Sequence, residues 1–518
     1  MKKKLYSILF LIAGVICLIS CNDDFLETSP TDKGTADDMF STGKKALVPL
    51  NGIYRMMYTQ GWSTTANVQQ CDGLSAWNLA ADVMGEDMVM KAQGSGWYWY
   101  DAVYNVKSRF TSSAWRSYDL WNGYYTLISN ANYIINAEST MGGDESDKNY
   151  VIGQAYAIRA YCYHYLAMFF ARTYMGHEDE PGIPLYTEPT GIGTGGNPRA
   201  KLSEVYKLIR EDIDKAVTLL KDAPEQTDKT HIDYYVANGI KARICLTTNE
   251  WAEARDAAKE ARGNYNIGAA GDLTSGMNDV NKRNVMWGAK VIETQTPGWG
   301  PFLYHMDAIT MWDASQTSVY ARSAPKCISI PLYNKMGQQD VRRQWWEPTK
   351  YSSVAPYLQV KFRFSNAQTS TGDKLWMRVE EMYLTEAEAE NRLGNDAAAR
   401  KLLEDLVKTR DPGYTTSKSG TQLGALTSDE TGSLLEEILV HRRIELWGEY
   451  GRVFDIKRLK QGFTRTTAMG WPTSALITGV NTQNPETYAW VLTIPQAEFD
   501  GNESLDPKTD QNPVGDQP

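Results

Sequence analysis

The chain has 518 residues, 42% of them hydrophobic and 22% charged, with 53 Lys+Arg against 63 Asp+Glu. That apolar share can bury a substantial core, as two or more average domains or one large helical array, so the chain is globular and not disordered. The acidic balance lacks the basic footprint that phosphate recognition needs, which excludes nucleic acid as a partner.

At the N-terminus, Lys2, Lys3 and Lys4 precede sixteen residues, 5 to 20, that carry no charge. A membrane-spanning helix needs about 18 to 20 apolar residues with flanking anchors, so the stretch reads as a secretion signal that is removed. Its end, Leu18-Ile19-Ser20-Cys21, resembles the bacterial lipobox. Cleavage there leaves Cys21 as the first residue, and its soft nucleophilic thiol takes diacylglycerol, which anchors the chain in outer-membrane lipid. Asn22-Asp23-Asp24 resembles the acidic export signal of Bacteroidetes surface lipoproteins. Removing the three leader lysines leaves 50 basic against 63 acidic residues, a net −13 for the mature chain.

Between residues 115 and 265 apolar positions recur at helical spacing. In YVIGQAYAIRAYCYHYLAMFFA, Ile152, Tyr156, Arg159, Ala160, Tyr163 and Ala167 fall three or four apart. A helix entered through Ser203 as N-cap follows, then DYYVANGIKARICLTTNEWAEARDAAKEAR, which splits near Asn249 into two helices. A matching pair in WMRVEEMYLTEAEAENRLGNDAAARKLLEDLVKTR breaks at Gly394-Asn395 and closes at Asp411-Pro412. About four such Ala-rich hairpins resemble tetratricopeptide repeats, which predicts a mainly α fold, a TPR-like α-α superhelix forming a curved scaffold.

Residues 266–350 are rich in Gly, Asn, Pro and Trp and keep no helical period, and 60–110 and 462–518 are similar, so the scaffold is expected to carry an irregular loop-rich lobe in which function lies. Eleven of the sixteen Trp fall in residues 62–121 or 287–346, so the loops and not the helices are enriched. Sugar rings present apolar faces that lie on flat aromatics and hydroxyls that seek polar partners, and Trp and Tyr supply both. Trp97, Trp99, Trp299, Tyr304 and Trp312, beside Gly or Pro in irregular chain, are the candidate ligand platform. Trp115, Trp121, Trp287 and Trp376, embedded in apolar patterns, are assigned to core.

GIGTGG at 191–196 satisfies G-x-G-x-x-G, but Pro189 precedes it and Asn197-Pro198 follows, where dinucleotide binding requires a strand before and a helix after. It reads as a loop. No zinc spacing, H-E-x-x-H or EF-hand is present, and Cys71, Cys162, Cys245 and Cys327 are too scattered for a disulfide framework, so no metal or other cofactor is expected and the thiols read as buried and free. A glycoside hydrolase needs only two carboxylates at the right separation, which sequence cannot display. No G-x-S-x-G elbow supports an esterase or peptidase.

The chain resembles the SusD/RagB family of outer-membrane nutrient-binding lipoproteins from end to end. The resemblance is carried by the lipobox, DFLETSP, WNGYYTLISNAN, AYAIRAYCYHYLAMFFA, PGIPLYTEPT, HRRIELWGEYGRVFDIKRL, LTIPQAEFDGNESL and Gln511-Asn512-Pro513, in the family's order. His441 and Tyr450 depart from its usual Glu and Gly, and both departures bear on packing. Glu445, Glu449, Arg452, Asp455 and Arg458 recur at three- and four-residue spacing, which predicts an ion-paired, solvated helix end. The family implies a signal peptide at 1–20, an N-terminal region with TPR-like helices at 21–225 and a C-terminal region at 226–518. It also implies binding without catalysis, with a SusC-like TonB-dependent transporter as partner and a surface-exposed, lipid-anchored location at the cell outer membrane. The expected cargo is an oligosaccharide; a peptide or other nutrient, a TPR-like adaptor and a glycoside hydrolase are the alternatives.

Overall fold

The computed structural model describes residues 36–514 except 60–67, 106–110, 192, 224–227, 297–299, 301, 314–315 and 318. The leader and Cys21 therefore lie outside the described residues, as does Trp299.

Eleven helices form the frame: α1 (Gly43–Met56), α2 (Leu74–Met84), α3 (Trp115–Asn136), α4 (Glu145–Phe170), α5 (Leu202–Lys221), α6 (Tyr234–Thr247), α7 (Trp251–Arg262), α8 (Val379–Arg392), α9 (Asp396–Val407), α10 (Leu434–Glu445) and α11 (Arg452–Leu459). Helices α3 to α9 pack each on the next, as a run of hairpins. Local chemistry sets the breaks. Asp144 caps α4 by accepting from the Ser146 and Asp147 amides, Asp233 caps α6 through the Val236 amide, and Asn249 and Gly394 turn the chain at positive φ between α6 and α7 and between α8 and α9. The entry to α5 corrects the expectation from sequence. Ser203 lies inside the helix, because a strand at Arg199–Lys201 runs straight into it and Glu204 accepts from the Lys201 amide instead.

Helix α4 is buried on every face from Val151 to Phe170 except at Tyr156, as befits the central element of an array. Arg159 on it forms two 2.7 Å contacts with Asp212 of α5 and donates to Asn132 of α3 at 2.9 Å, which pins three helices with one guanidinium. Small residues set the spacing. A Cβ on Gly153 would lie 2.8 Å from Leu220 Cγ, and one on Gly239 2.4 Å from Met377 Sδ.

The array continues across the long insertion because α7 packs directly on α8. Short strands return the chain: β1 (Met88–Met90) follows α2, and β2 (Val285–Ala289), β3 (Lys326–Ile328) and β4 (Lys374–Arg378) lie between α7 and α8. Strand β2 pairs antiparallel with β4, and β4 leads into α8. Trp287 and Trp376 meet edge to face across this pair at 4.8 Å, and with Trp121 they are core as expected, whereas Trp115 is half-buried with the Arg116 guanidinium 4.2 Å over its ring.

The irregular lobe has a core of its own, built on Trp99, Trp345, Trp346, Trp447 and Trp471, with Trp346 edge to face with Trp345 and with Trp447, each at 5.4 Å. Beneath it the acidic and basic residues of HRRIELWGEYGRVFDIKRL are buried, which corrects the solvated helix end expected from their spacing. Gly448 and Gly451, at φ +80° and +99°, turn the chain between α10 and α11, so the spacing does not lie on one helix. Glu445 is wholly buried and accepts from Arg410 (3.0 Å), Arg378 (3.1 Å) and Arg342 (3.1 Å). Arg378 also holds Glu449, and Arg410 holds Glu380 of α8. Among the described ion pairs of this run, only Arg458–Asp455, at 2.7 Å, lies within one helix, and Arg458 also grips Glu388 of α8 at 2.6 and 2.8 Å. The network fastens the lobe to the array. His441 belongs to it as a neutral acceptor from Arg342, 3.1 Å away, and Tyr450 lies under the Arg442 guanidinium at 4.7 Å. The four cysteines at 71, 162, 245 and 327 are buried. The closing segment is clipped by side-chain amides: Gln511 pairs with the Ile494 main chain, and Asn512 donates to the Phe170 and Leu492 carbonyls.

Candidate ligand-binding site

Strand β1 pairs antiparallel with β3, Met88 opposite Ile328 and Met90 opposite Lys326. The chain leaving β1 and the chain entering β3 therefore emerge at the same end, and the Lys91 amide continues the ladder onto the Pro325 carbonyl at 3.0 Å. This brings GSGWYWY beside residues 302–306 and 319–323, more than 200 positions away in sequence. Gly94 makes the approach possible: at φ +53°, a Cβ there would meet the Ser323 Oγ at 2.7 Å and its backbone at 2.9 Å.

A row of rings results. Trp97 meets Tyr320 edge to face (6.0 Å), Tyr320 stacks on His305 (5.3 Å, 13°), and His305 meets the edge of Tyr98 (4.9 Å). Trp97 and Tyr320 are half-buried, Tyr98 is wholly interior, and Tyr100 is 40% exposed. The Trp97 indole N–H is buried without a partner among the described residues. Gln93, Ser95, Arg322 and Ser323 stand exposed around the row.

The backing is charged and dry. Arg116, stacked over Tyr98 at 5.4 Å, forms a fork with Asp101 (3.1 and 2.9 Å) and donates to Gln70, whose side chain accepts from the Tyr98 amide at 2.7 Å. That anchorage holds Tyr98 at φ +62°, a left-handed conformation that a bulky residue adopts only when its surroundings impose it. Asp72 accepts from the Phe302 amide and from Lys374, and its carboxyl is pushed up by burial. Burial, then the charge of Lys326, pushes His305 down to about 3, so the imidazole is neutral and its Nε2 donates to the Gln69 carbonyl. Lys326 is itself buried against Ala324 O at 3.3 Å, and desolvation pushes it down to about 7. A rigid half-open row of rings on such a base can stack an apolar face and offer polar partners at its rim.

The five platform candidates fare differently. Trp97 lies in the row. Trp99 (7% exposed) and Tyr304 (1%) belong to the lobe's core instead, the latter with its hydroxyl on Ser370 (2.5 Å) and its ring on Phe364 (5.1 Å). In WYWY, Trp97 stays half-buried while Trp99, beyond the left-handed Tyr98, is taken into the lobe's core. Trp312 sits in a short strand, Met311–Asp313, with its side chain outside the described residues. Tyr320, His305 and Tyr98 are the members that sequence reasoning did not select, although Tyr98 stands in the quoted string itself. No group of His, Cys, Asp or Glu among the described residues could hold a metal ion, and no helix among them is long and apolar enough to cross a membrane.

A helical-repeat scaffold with an aromatic-lined irregular lobe defines the class, and comparison with known proteins gives the family. Residues 56–246 match a SusD-like family described as starch-binding and associating with the outer membrane, and residues 332–514 match the SusD family. The chain belongs to the SusD/RagB family. It is 23% identical over 501 residues to a SusD-like protein of Formosa agariphila, covering 89% of this chain and 91% of that one. Among solved structures, a SusD-like carbohydrate-binding protein of Bacteroides vulgatus superposes with a TM-score of 0.71 at 23% identity, over 90% of this chain and 98% of the other. A laminarin-binding SusD-like protein superposes at 0.66 with 18% identity, over 92% and 100%. These structural likenesses establish the fold.

Proposed function

We propose that the protein is a cell-surface lipoprotein, anchored through Cys21, that captures an oligosaccharide on the half-open rings of the row, Trp97 and Tyr320, and passes it to a SusC-like TonB-dependent transporter. The observation that carries this reading is the row itself: half-open aromatics on a dry, ion-paired base, in loops brought together by the β1–β3 pairing. The segments holding Trp299 and Trp312 adjoin it in sequence and belong to the same proposal. Relatives named as starch-binding, laminarin-binding and surface glycan-binding support a carbohydrate as cargo. The protein is read as a binder without turnover. The carboxylates behind the rings, Asp72 and Asp101, are held by Lys374 and Arg116 and not presented to a ligand.

The test is a glycan array probed with the full chain in mild detergent, with reducing-end release followed on each bound glycan. Binding without release above a buffer control is expected, and a large β-barrel transporter should copurify from the native membrane. Steady product formation, lost on changing one carboxylate, overturns the binder reading.

A further inference from the structure

The glycines of the GIGTGG loop are not used by the ring row, and Gly191, Gly195 and Gly196 border a cleft in which two aromatics meet open space. Tyr125 of α3 and Tyr186 stand edge to face at 5.8 Å, both half-buried, on one wall of a cleft of about 350 Å³. Its other walls are Thr190, Gly191, Thr194, Gly195 and Gly196 and the short helix Gln496–Gly501. We propose that this cleft is a second saccharide site, taking the end of a neutral oligosaccharide, and that it shares no residue with the ring row.

Size, polarity and glycine usage support this independently. The volume lies within the span of small-ligand sites, about 300 to 1,000 Å³. The rims carry hydroxyls at Ser129 and Thr190 (2.7 Å apart) and the Glu498 carboxylate, which accepts from Trp121 Nε1 (2.9 Å) and Asn502 Nδ2 (2.8 Å) and has no ion-pair partner among the described residues. An unpaired carboxylate with lone pairs to spare accepts sugar hydroxyls and repels an anionic ligand, which sets the class as neutral.

The glycines are the more telling feature. Gly196 is demanded by the fold, since a Cβ there would sit 1.9 Å from Asn502 Oδ1, and Gly193 by its φ of +87°. Gly191 and Gly195 are not. Neither has a positive φ, and a Cβ would meet nothing nearer than 3.9 Å at the first and nothing within 4 Å at the second. Both line the cleft. Bare backbone where the fold would accept a side chain keeps the space open and exposes amide and carbonyl groups to an occupant.

Gly195→Leu fills the cleft without backbone strain, and Glu498→Gln removes the charge while keeping an acceptor for Trp121. The experiment compares the full chain in detergent with Gly195→Leu, Glu498→Gln, Trp97→Ala and the Trp97→Ala/Gly195→Leu double variant. The array carries maltoheptaose, laminarihexaose and, as anionic counter-probe, alginate oligosaccharides, with melting temperatures taken alongside. Trp97→Ala is expected to retain weak neutral-glycan binding, the double variant to lose it, and Gly195→Leu alone to melt as the unaltered chain does. Glu498→Gln should admit alginate that the unaltered chain rejects. If the double variant binds as Trp97→Ala does, the second site is wrong while the ring row stands. If Trp97→Ala changes nothing but Gly195→Leu abolishes binding, the ring row fails and the cleft stands. A chain that binds no neutral probe overturns both.

Discussion

The two halves of the molecule bury apolar surface by opposite means. In the helical array the contacts are made by small residues: Ala157, Ala160, Gly153 and Ala167 on α4, and Ala254, Ala257, Ala258 and Ala261 on α7, let helices approach until a single added methyl would collide. In the irregular lobe the chain has no period to offer, and order comes from bulk and charge, from Trp345, Trp346, Trp447 and Trp471 and from three arginines around Glu445. Regular helices satisfy their own backbone and need only fit one another; irregular chain needs side chains to do that work. Each half should therefore be vulnerable to a different kind of substitution.

The largest effect belongs to the lobe. Glu445→Ala leaves Arg342, Arg378 and Arg410 buried with fewer carboxylates between them, and breaking a buried pair by removing one partner costs about 3 to 5 kcal/mol. Urea denaturation is expected to show a loss of that size. A loss below about 1 kcal/mol, the range of a surface pair, would mean that water reaches the network and that the lobe is not fastened this way. In the array the corresponding experiment is overpacking. Gly153→Ala sets a Cβ 2.8 Å from Leu220 Cγ, and extra volume in a packed core costs about 1 to 3 kcal/mol. An unchanged or raised stability would show that α4 and α5 have room to slide apart.

This contrast also explains what was legible in the sequence. The array was, because its breaks are written in local chemistry: Asn249, Gly394 and the Ala-rich faces placed α6, α7, α8 and α9 closely. Ser203 misled because the residue that caps α5 acts from one position further on, through Glu204. The charge run at 445–458 misled for a deeper reason, since its partners Arg342, Arg378, Arg410 and Glu388 lie tens of residues away and no spacing rule reaches them. In the ring row, composition pointed to WYWY, but not to the left-handed Tyr98, past which Trp99 is buried in the lobe's core while Trp97 stays half-buried. Tyr320 could be found only once β1 and β3 were known to pair.

Acid sharpens the comparison further, with a smaller effect. Burial pushes His164 in the array and His305 and His441 in the lobe down to about 3, aided by Arg243, Lys326 and Arg342 respectively. A free histidine titrates near about 6.5, so between there and 3 the unfolded chain binds more protons than the folded one. Their stability is full above about 6.5 and is lost as pH falls towards 3. Asp82, pushed up to about 8 by burial, acts in the opposite sense, because the folded chain takes up its proton first. The difference between two proteins isolates one group. His441→Gln keeps an acceptor for Arg342 while removing a titration, so its denaturation midpoint should fall less than that of the unaltered chain between pH 6.5 and pH 4.5, the carboxylate titrations being common to both proteins. Parallel curves would mean that His441 is charged in the folded protein and that the network is arranged around an imidazolium.

The smallest expected change in stability is at Trp97, and there it is the smallness that carries meaning. Trp97 is half-buried, whereas Trp346, of the same residue type in the same lobe, is wholly buried between Trp345 and Trp447. Truncating the buried ring should cost about 3 to 5 kcal/mol of folding stability. Truncating the open one removes a contact face and little cavity, so Trp97→Ala is expected to melt within a few degrees of the unaltered chain while losing about 1 to 3 kcal/mol of glycan binding as one hot spot. Tyr320→Ala should follow it in binding, because Trp97 and Tyr320 form one surface at 6.0 Å. The pair of measurements separates platform from core without knowing which sugar is bound. If Trp97→Ala instead unfolds as readily as Trp346→Ala, with affinity unchanged in the molecules that remain folded, the ring row is a piece of the lobe's core that happens to reach the surface.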